Sequence, residues 1–143
     1  MVEHLIREGY RHIVHLQGPD DVYNSVERAR GYKDALAKFN IPFNKDRMLK
    51  AGLTFKDGAN AADMLIEKGI SFDAIFAFTD TLAIGAMNRL RDLGKKIPEE
   101  IAIASFSGTM LSTIVYPQLT TVKPPLQQMG KVVAALIIEK IKE

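Results

Sequence analysis

Hydrophobic and polar positions form blocks that predict strands and helices in turn along the chain. Short apolar runs such as 74–78 contain no polar position, which is typical of strands covered on both faces of a parallel sheet. Longer segments carry apolar residues every three or four positions, which indicates amphipathic helices. The pattern predicts helices near 2–6, 25–39, 54–66, 82–93 and 126–142, one helical turn near 110–115, and strands at 13–16, 48–51, 74–78, 101–106 and 119–122.

This alternation indicates βαβ units, so we expect an α/β fold with an open, doubly wound parallel sheet and helices on both faces. In such sheets, ligands bind beyond the carboxyl ends of the strands, where loops converge and helix N-termini offer unpaired N–H groups. Four segments follow strand ends and qualify as candidate binding loops: 18–28, 52–55, 79–81 and 105–109.

Helix starts are marked by capping signals. Thr54 with Asp57 three residues later resembles a capping box, and either Thr79 or Asp80 could cap the helix after the third strand.

Length and composition indicate how large the domain is and in which cellular compartment to expect it. The chain has 143 residues, 47% hydrophobic and 25% charged, with no cysteine, which is enough for one globular domain and excludes disulfides and thiolate chemistry. No apolar run is long enough to span a membrane or form a visible signal peptide, so we expect a cytoplasmic protein without a membrane partner. The net charge of +2 is too small, and the basic residues too dispersed, to indicate direct nucleic-acid binding.

Metal, cofactor and enzymatic chemistry find little support. His12 and His15 are three apart in a predicted strand and therefore point to opposite faces, so we interpret them as surface or sheet-edge histidines and expect no metal site. The sequence contains no glycine-rich dinucleotide turn, phosphate-binding loop or nucleophile elbow. We therefore expect neither an enzyme nor a cofactor.

One acidic group leaves a phosphotransfer alternative open. Asp20 and Asp21 after the first strand, Asp80 after the third and Lys123 after the fifth resemble the phosphoacceptor site of response-regulator receiver domains. Against this alternative, Gly18 and Pro19 separate the acidic pair from its strand, and Asp80 opens a helix directly.

Arg28 is a candidate ligand-binding residue because it lies near the start of the helix after strand one. Its guanidinium could give two parallel hydrogen bonds to vicinal hydroxyls or to a carboxylate. The alternative is a solvated arginine paired with Asp20 or Asp21. Asp80 is similarly ambiguous, since helix capping alone would explain it.

Several motifs occur in an order that resembles the core domain of the LacI family of bacterial transcription regulators. The most specific are DTLAIGAM at 80–87, IPEEI at 97–101 and PQLTTV at 117–122, and the resemblance covers essentially the whole chain. It implies a core like that of periplasmic sugar-binding proteins, in which two α/β subdomains close on a small effector and an N-terminal helix-turn-helix binds operator DNA.

The resemblance also divides the chain. It implies second-subdomain βα units at 9–106, a crossover at 107–125, and a helix at 126–143 that would pack on a first subdomain lying outside this sequence. The implied function is a non-enzymatic sensor of a sugar or nucleoside that controls operator binding. A transport-type sugar-binding protein is the alternative.

Site residues follow from the resemblance. The implied effector-binding residues are Ser25, Arg28, Thr54, Phe55, Thr79, Asp80 and Ser107. At Ser107 the family commonly has an aspartate that binds a sugar hydroxyl. The resemblance also implies a homodimer through Ile84, Met87, Asn88, Arg91, Leu111, Ile114, Val115 and Tyr116. The loop at 110–116 is unusually apolar for a connection, which indicates a covered surface, either at a dimer interface or on the chain's own sheet.

The last predicted helix has a broad apolar arc. Leaving six of its large apolar side chains exposed would forfeit about 9 to 18 kcal/mol, comparable with the stability of a whole domain. We therefore expect this helix to dock on a neighbouring chain or to fold back onto its own chain.

Overall fold

The structure, a computed structural model, describes residues 1–142 and alternates helices with strands. The helices are α1 (Val2–Arg7), α2 (Tyr23–Lys38), α3 (Phe55–Glu67), α4 (Asp80–Asp92), α5 (Leu111–Ile114) and α6 (Leu126–Lys142). The strands are β1 (Ile13–Gln17), β2 (Met48–Lys50), β3 (Ala74–Ala77), β4 (Ala102–Phe106) and β5 (Thr120–Val122), and a 3₁₀ turn at Lys45–Arg47 precedes β2. The predicted elements are confirmed, with boundary shifts of a few residues.

The five strands form one parallel sheet in the order β2-β1-β3-β4-β5. The sheet is open and has helices on both faces, which confirms the doubly wound α/β architecture. One core, around Leu16, Ile75 and Leu82, lies under α3 and α4. The other, around Ile13, Tyr32 and Phe76, lies under α1 and α2. Alternate strand residues supply the two cores, as the two-residue side-chain period requires.

Two glycines allow α3 and α4 to cross in close contact. A Cβ atom at Gly58 would lie 2.1 Å from the carbonyl oxygen of Leu82, and one at Gly85 would lie 2.0 Å from that of Phe55. Any side chain at these positions would force the helices apart. The contact at Gly85 therefore fixes where α3 begins relative to α4.

Caps set the starts of the same two helices. The capping box is confirmed: the Thr54 hydroxyl accepts from the Asp57 N–H, and the Asp57 carboxylate accepts from the Thr54 N–H. At α4 the hydroxyl of Thr79 accepts from the Leu82 N–H at 3.3 Å, so Thr79 is the cap and Asp80 is the first helical residue. This settles the choice that the sequence left open.

The expectation for His15 was wrong, because it lies in a central strand and is fully buried. Its Nδ1 lies 2.9 Å from the carbonyl oxygen of Phe76, and its ring stacks on those of Tyr32 and Phe76 with centroid distances of 5.3 and 5.0 Å. Burial lowers the pKa of His15 to about 4, so the ring is neutral near pH 7. His12 is exposed, as expected.

The helix α6 extends away from the sheet, and each of its residues is exposed. Its eight large apolar side chains, all at least half exposed, are Leu126, Met129, Val132, Val133, Leu136, Ile137, Ile138 and Ile141. The fold-back arrangement expected for this helix is therefore not the one adopted, and docking on a neighbouring chain remains a prediction. Glu143, the last residue of that predicted segment, lies outside the described residues. None of the helices within 1–142 has the length and apolar character needed to cross a membrane.

Candidate functional site

The candidate site lies at the carboxyl edge of the sheet, where the segments after β1, β2, β3 and β4 converge. Arg28 from α2 is its central cation. An open groove of about 490 Å³ beside α1 also reaches Arg28, Tyr32 and Phe106, but none of Thr54, Phe55 and Ser107 lines it. The start of α3 and the turn after β4 supply hydroxyls at the same edge. This is the position at which open α/β sheets bind ligands.

Arg28 is held by aromatic rings and one carbonyl group. Its Cζ lies 3.9 Å from the centroid of the Phe106 ring and 4.6 Å from that of Phe78, over both rings. Its Nη1 donates to the carbonyl oxygen of Phe78 at 2.6 Å. Partial burial lowers the pKa of Arg28 from its ordinary value, but an arginine remains charged at neutral pH.

The alternative in which Arg28 pairs with an aspartate is wrong. The carboxylate of Asp20 instead forms an ion pair with Lys50, and its other oxygen accepts from Gln17 Nε2 at 3.0 Å. None of the ion pairs within residues 1–142 includes Arg28. The guanidinium therefore keeps N–H groups available to a ligand.

Asp80 begins α4, but its side chain is fully buried instead of reaching a ligand. One carboxylate oxygen accepts from the hydroxyls of Ser105 at 2.6 Å and Thr121 at 2.7 Å. The other accepts from the backbone N–H and the hydroxyl of Thr109, both at 2.7 Å. These four bonds fill the acceptor positions of the carboxylate, so Asp80 ties α4 to β4, β5 and the turn between them. This corrects the expectation that Asp80 contacts the effector.

The electrostatics of Asp80 agree with this internal role. Burial opposes its ionisation, but the hydrogen bonds from Ser105, Thr121 and Thr109 outweigh that effect and hold the pKa of Asp80 below its ordinary value. A buried and fully bonded carboxylate is not an accessible phosphoacceptor. The receiver-domain alternative therefore loses its central residue.

The other expected effector residues divide into exposed and internal groups. Thr54 and Phe55 are exposed at the start of α3, with 47% of Phe55 accessible, and Ser107 is partly exposed after β4. Thr79 is partly buried and is engaged as the α4 cap. Ser25 is fully buried, so this residue is not a direct ligand contact, which corrects the expectation.

Three buried polar atoms lie between β1 and α2 without a protein partner: His15 Nε2, Gln17 Oε1 and Ser25 Oγ. His15 and Gln17 are two apart in β1 and so share one face of the sheet, which α2 covers. Period-two alternation could have assigned both side chains to one face. The predicted helices on both faces of the sheet indicate that this face is covered, so His15 could have been expected inside.

The residues expected at a dimer interface fall into two groups, those buried in the chain's own core and those exposed on its surface. Ile84 and Met87 are 4% and 2% exposed and belong to the chain's own core, which corrects their assignment to an interface. Leu111 and Val115 are partly buried and pack against the same core. Asn88, Arg91, Ile114 and Tyr116 are exposed and remain available to a partner. Arg91 donates from Nη1 to the carbonyl oxygen of Tyr116 at 2.6 Å, which fixes the protruding loop to α4.

Sequence reasoning missed the aromatic pair under Arg28 and the glycine beside it. A Cβ atom at Gly18 would lie 2.4 Å from the ring of Phe78, so the ring occupies the space that a side chain would fill. A usable signal exists, because Phe78 and Phe106 each end a predicted strand of the parallel sheet.

Comparisons with known proteins agree with one another. Residues 2–143 match the family described as periplasmic binding protein-like domain. The chain is 37% identical over 128 residues to the transcriptional regulator AscG of Escherichia coli, which covers 90% of this chain and 38% of AscG. It is 31% identical to the transcriptional repressor PurR of Aliivibrio fischeri, covering 99% of this chain and 42% of PurR.

Solved structures give the same result. The transcriptional regulator CelR in complex with cellobiose superposes with a TM-score of 0.93 at 28% identity, covering 99% of this chain and 43% of that chain. The chain thus spans about two fifths of the length of AscG and PurR.

Proposed function

Because this chain belongs to the periplasmic binding protein-like domain family of LacI-type transcription regulators, we propose that it binds a small polar effector at the carboxyl edge of its sheet. Effector binding then controls operator binding by a separate helix-turn-helix domain. The observation that carries the proposal is Arg28, a partly buried cation without a carboxylate partner within residues 1–142, at the edge where such sheets bind ligands.

The surrounding groups favour a sugar or a nucleoside. The N–H edge of Arg28 and the hydroxyl of Ser107 are hydrogen-bonding groups suited to a polyhydroxylated ligand, whereas the Thr54 hydroxyl is engaged with Asp57 as the α3 cap. The exposed ring of Phe55 offers an apolar surface for the face of a sugar ring or base. The cellobiose complex of CelR supports the sugar class.

The activity is a change of arrangement and not a chemical reaction. Bound effector favours one relative arrangement of two subdomains, and the DNA-binding domains respond to that arrangement. The proposal therefore includes no enzymatic activity and no cofactor. It places the protein in the cytoplasm, where transcription regulators act, as a homodimer that uses Asn88, Arg91, Ile114 and Tyr116.

A ligand screen with two arginine variants tests the proposal. The chain is screened by thermal shift against mono- and disaccharides, including cellobiose, and against nucleosides. Because charge-assisted, bidentate hydrogen bonds contribute about 1.5 to 3 kcal/mol, Arg28→Ala should weaken binding of a positive ligand by roughly tenfold or more.

Arg30→Ala is the matched control. Arg30 lies in the same helix but is exposed and forms an ion pair with Glu27, so its removal should leave binding unchanged. Equal ligand affinity in Arg28→Ala and the unmodified chain would remove Arg28 from the site and with it the main support for this proposal.

A further inference from the structure

Arg28 lies over a floor made of two phenylalanine rings. Phe106 is the last residue of β4, and Phe78 directly follows the neighbouring strand β3. The guanidinium carbon is 3.9 Å from the first ring centroid and 4.6 Å from the second, within the range of cation–π attraction. The floor therefore comes from two adjacent strands of the sheet.

The floor is itself rigidly placed. Phe78 is only 5% exposed, and its ring lies against the backbone of Gly18, where a Cβ atom would come within 2.4 Å. The carbonyl oxygen of Phe78 also accepts from Arg28 Nη1 at 2.6 Å. Arg28 is thus held through its π contacts and through one in-plane hydrogen bond.

This arrangement decides which part of Arg28 a ligand can reach. The rings cover a face of the guanidinium, and Nη1 already donates to the chain, so the N–H groups along the remaining edge are left for a ligand. An ordered arginine also loses less side-chain entropy when a ligand binds, because its rotamer is already selected.

We propose that Phe106 is a positioning residue, which fixes the guanidinium of Arg28 before an effector arrives and presents its N–H edge to the ligand. That edge matches two oxygens lying in one plane, as in vicinal hydroxyls or a carboxylate. The site then favours ligands that present such a pair of oxygens to the edge of the Arg28 guanidinium. The consequence for ligand choice rests on the proposed function, whereas the positioning of Arg28 does not.

Phe106 is the better of the two rings for a test. Phe78 belongs to the buried core, where substitution would disturb packing, whereas Phe106 is partly exposed. Phe106→Leu removes the ring and keeps an apolar side chain of similar bulk, and Phe106→Tyr restores the ring. Phe43→Leu is a matched control, because Phe43 is an exposed ring that contacts Lys33 and Tyr32.

The test is made without ligand, by NMR of the Arg28 Nε–H group in the unmodified chain and the three variants. Aromatic rings displace the resonances of protons held over their faces, so we expect a displaced, sharp signal in the unmodified chain, in Phe106→Tyr and in Phe43→Leu. In Phe106→Leu the signal should lose most of its displacement and broaden, while the backbone amide signals of the sheet stay in place.

An Arg28 signal that is unchanged in Phe106→Leu overturns the proposal. So does a Phe106→Tyr signal that fails to recover although the sheet amides are intact. A chain that shows the expected Arg28 signals but binds no sugar or nucleoside would contradict the proposed function alone.

Discussion

Acidification should destabilise this domain through a single buried ring, that of His15. The ring is fully buried in β1, and burial lowers its pKa from 6.5 to about 4. The unfolded chain therefore binds a proton between pH 6.5 and 4 that the folded chain does not, so stability falls as the pH falls through this window. Above pH 6.5 the effect is absent.

The size of the effect follows from the two pKa values. With 6.5 in the unfolded chain and about 4 in the folded chain, the free energy of unfolding should drop by about 1 kcal/mol at pH 5.5 and by about 2 to 3 kcal/mol at pH 4.5. The contribution of Asp80 to the pH dependence of stability falls outside this pH range. Its pKa lies below the ordinary aspartate value, so the stability it contributes is lost at lower pH.

Urea unfolding followed by circular dichroism between pH 7.5 and 4.5 measures the loss. His15→Phe keeps an aromatic ring between Tyr32 and Phe76 and should lose most of the pH dependence. His12→Gln, at an exposed position, should keep it. An unmodified chain equally stable at pH 7 and 4.5, or an acid loss that persists undiminished in His15→Phe, would refute the reasoning.

Three further predictions concern stability and assembly. Asp80→Asn should destabilise the fold by about 3 kcal/mol in urea unfolding, since it removes a charged acceptor shared by four donors, whereas Asp21→Asn at an exposed position should change little. Gly85→Ala should lower the free energy of unfolding by about 2 kcal/mol or more, because its Cβ would clash with the Phe55 carbonyl. Gly31→Ala has open space around its Cβ and should instead stabilise α2 by about 0.5 to 1 kcal/mol. Equal effects of the two substitutions would contradict the close helix crossing. The exposed apolar side chains of α6 should make the chain self-associate as its concentration rises, and Ile137→Lys should weaken this; light scattering that shows a monomer at all concentrations would contradict it.

The sequence predicted the architecture because its main signals are periodic and local. The buried run at 74–78 became β3 with Phe78 beside it, and the Thr54 capping box formed as expected. Parallel order followed from the alternation of strands and helices, since such connections are almost always right-handed crossovers.

The site was harder to predict because its contacts join residues far apart in the chain. The bonds from Ser105, Thr109 and Thr121 to Asp80 cross 25 to 41 positions, so a helix-start aspartate could not be recognised as a buried acceptor. The floor under Arg28 likewise depends on adjacent strand ends. His15, in contrast, could have been expected inside, because helices were predicted on both faces of the sheet.

The central claim is that a small polar effector binds at the carboxyl edge of the sheet beside Arg28. The most direct measurement is an NMR titration of the isotope-labelled chain with the sugars and nucleosides of the screen, at concentrations up to tens of millimolar. We predict that one ligand shifts the signals of Arg28, Phe55 and Ser107 together and that these shifts are lost in Arg28→Ala. Shifts confined to other surfaces, or no shift with any of these ligands, would contradict the claim.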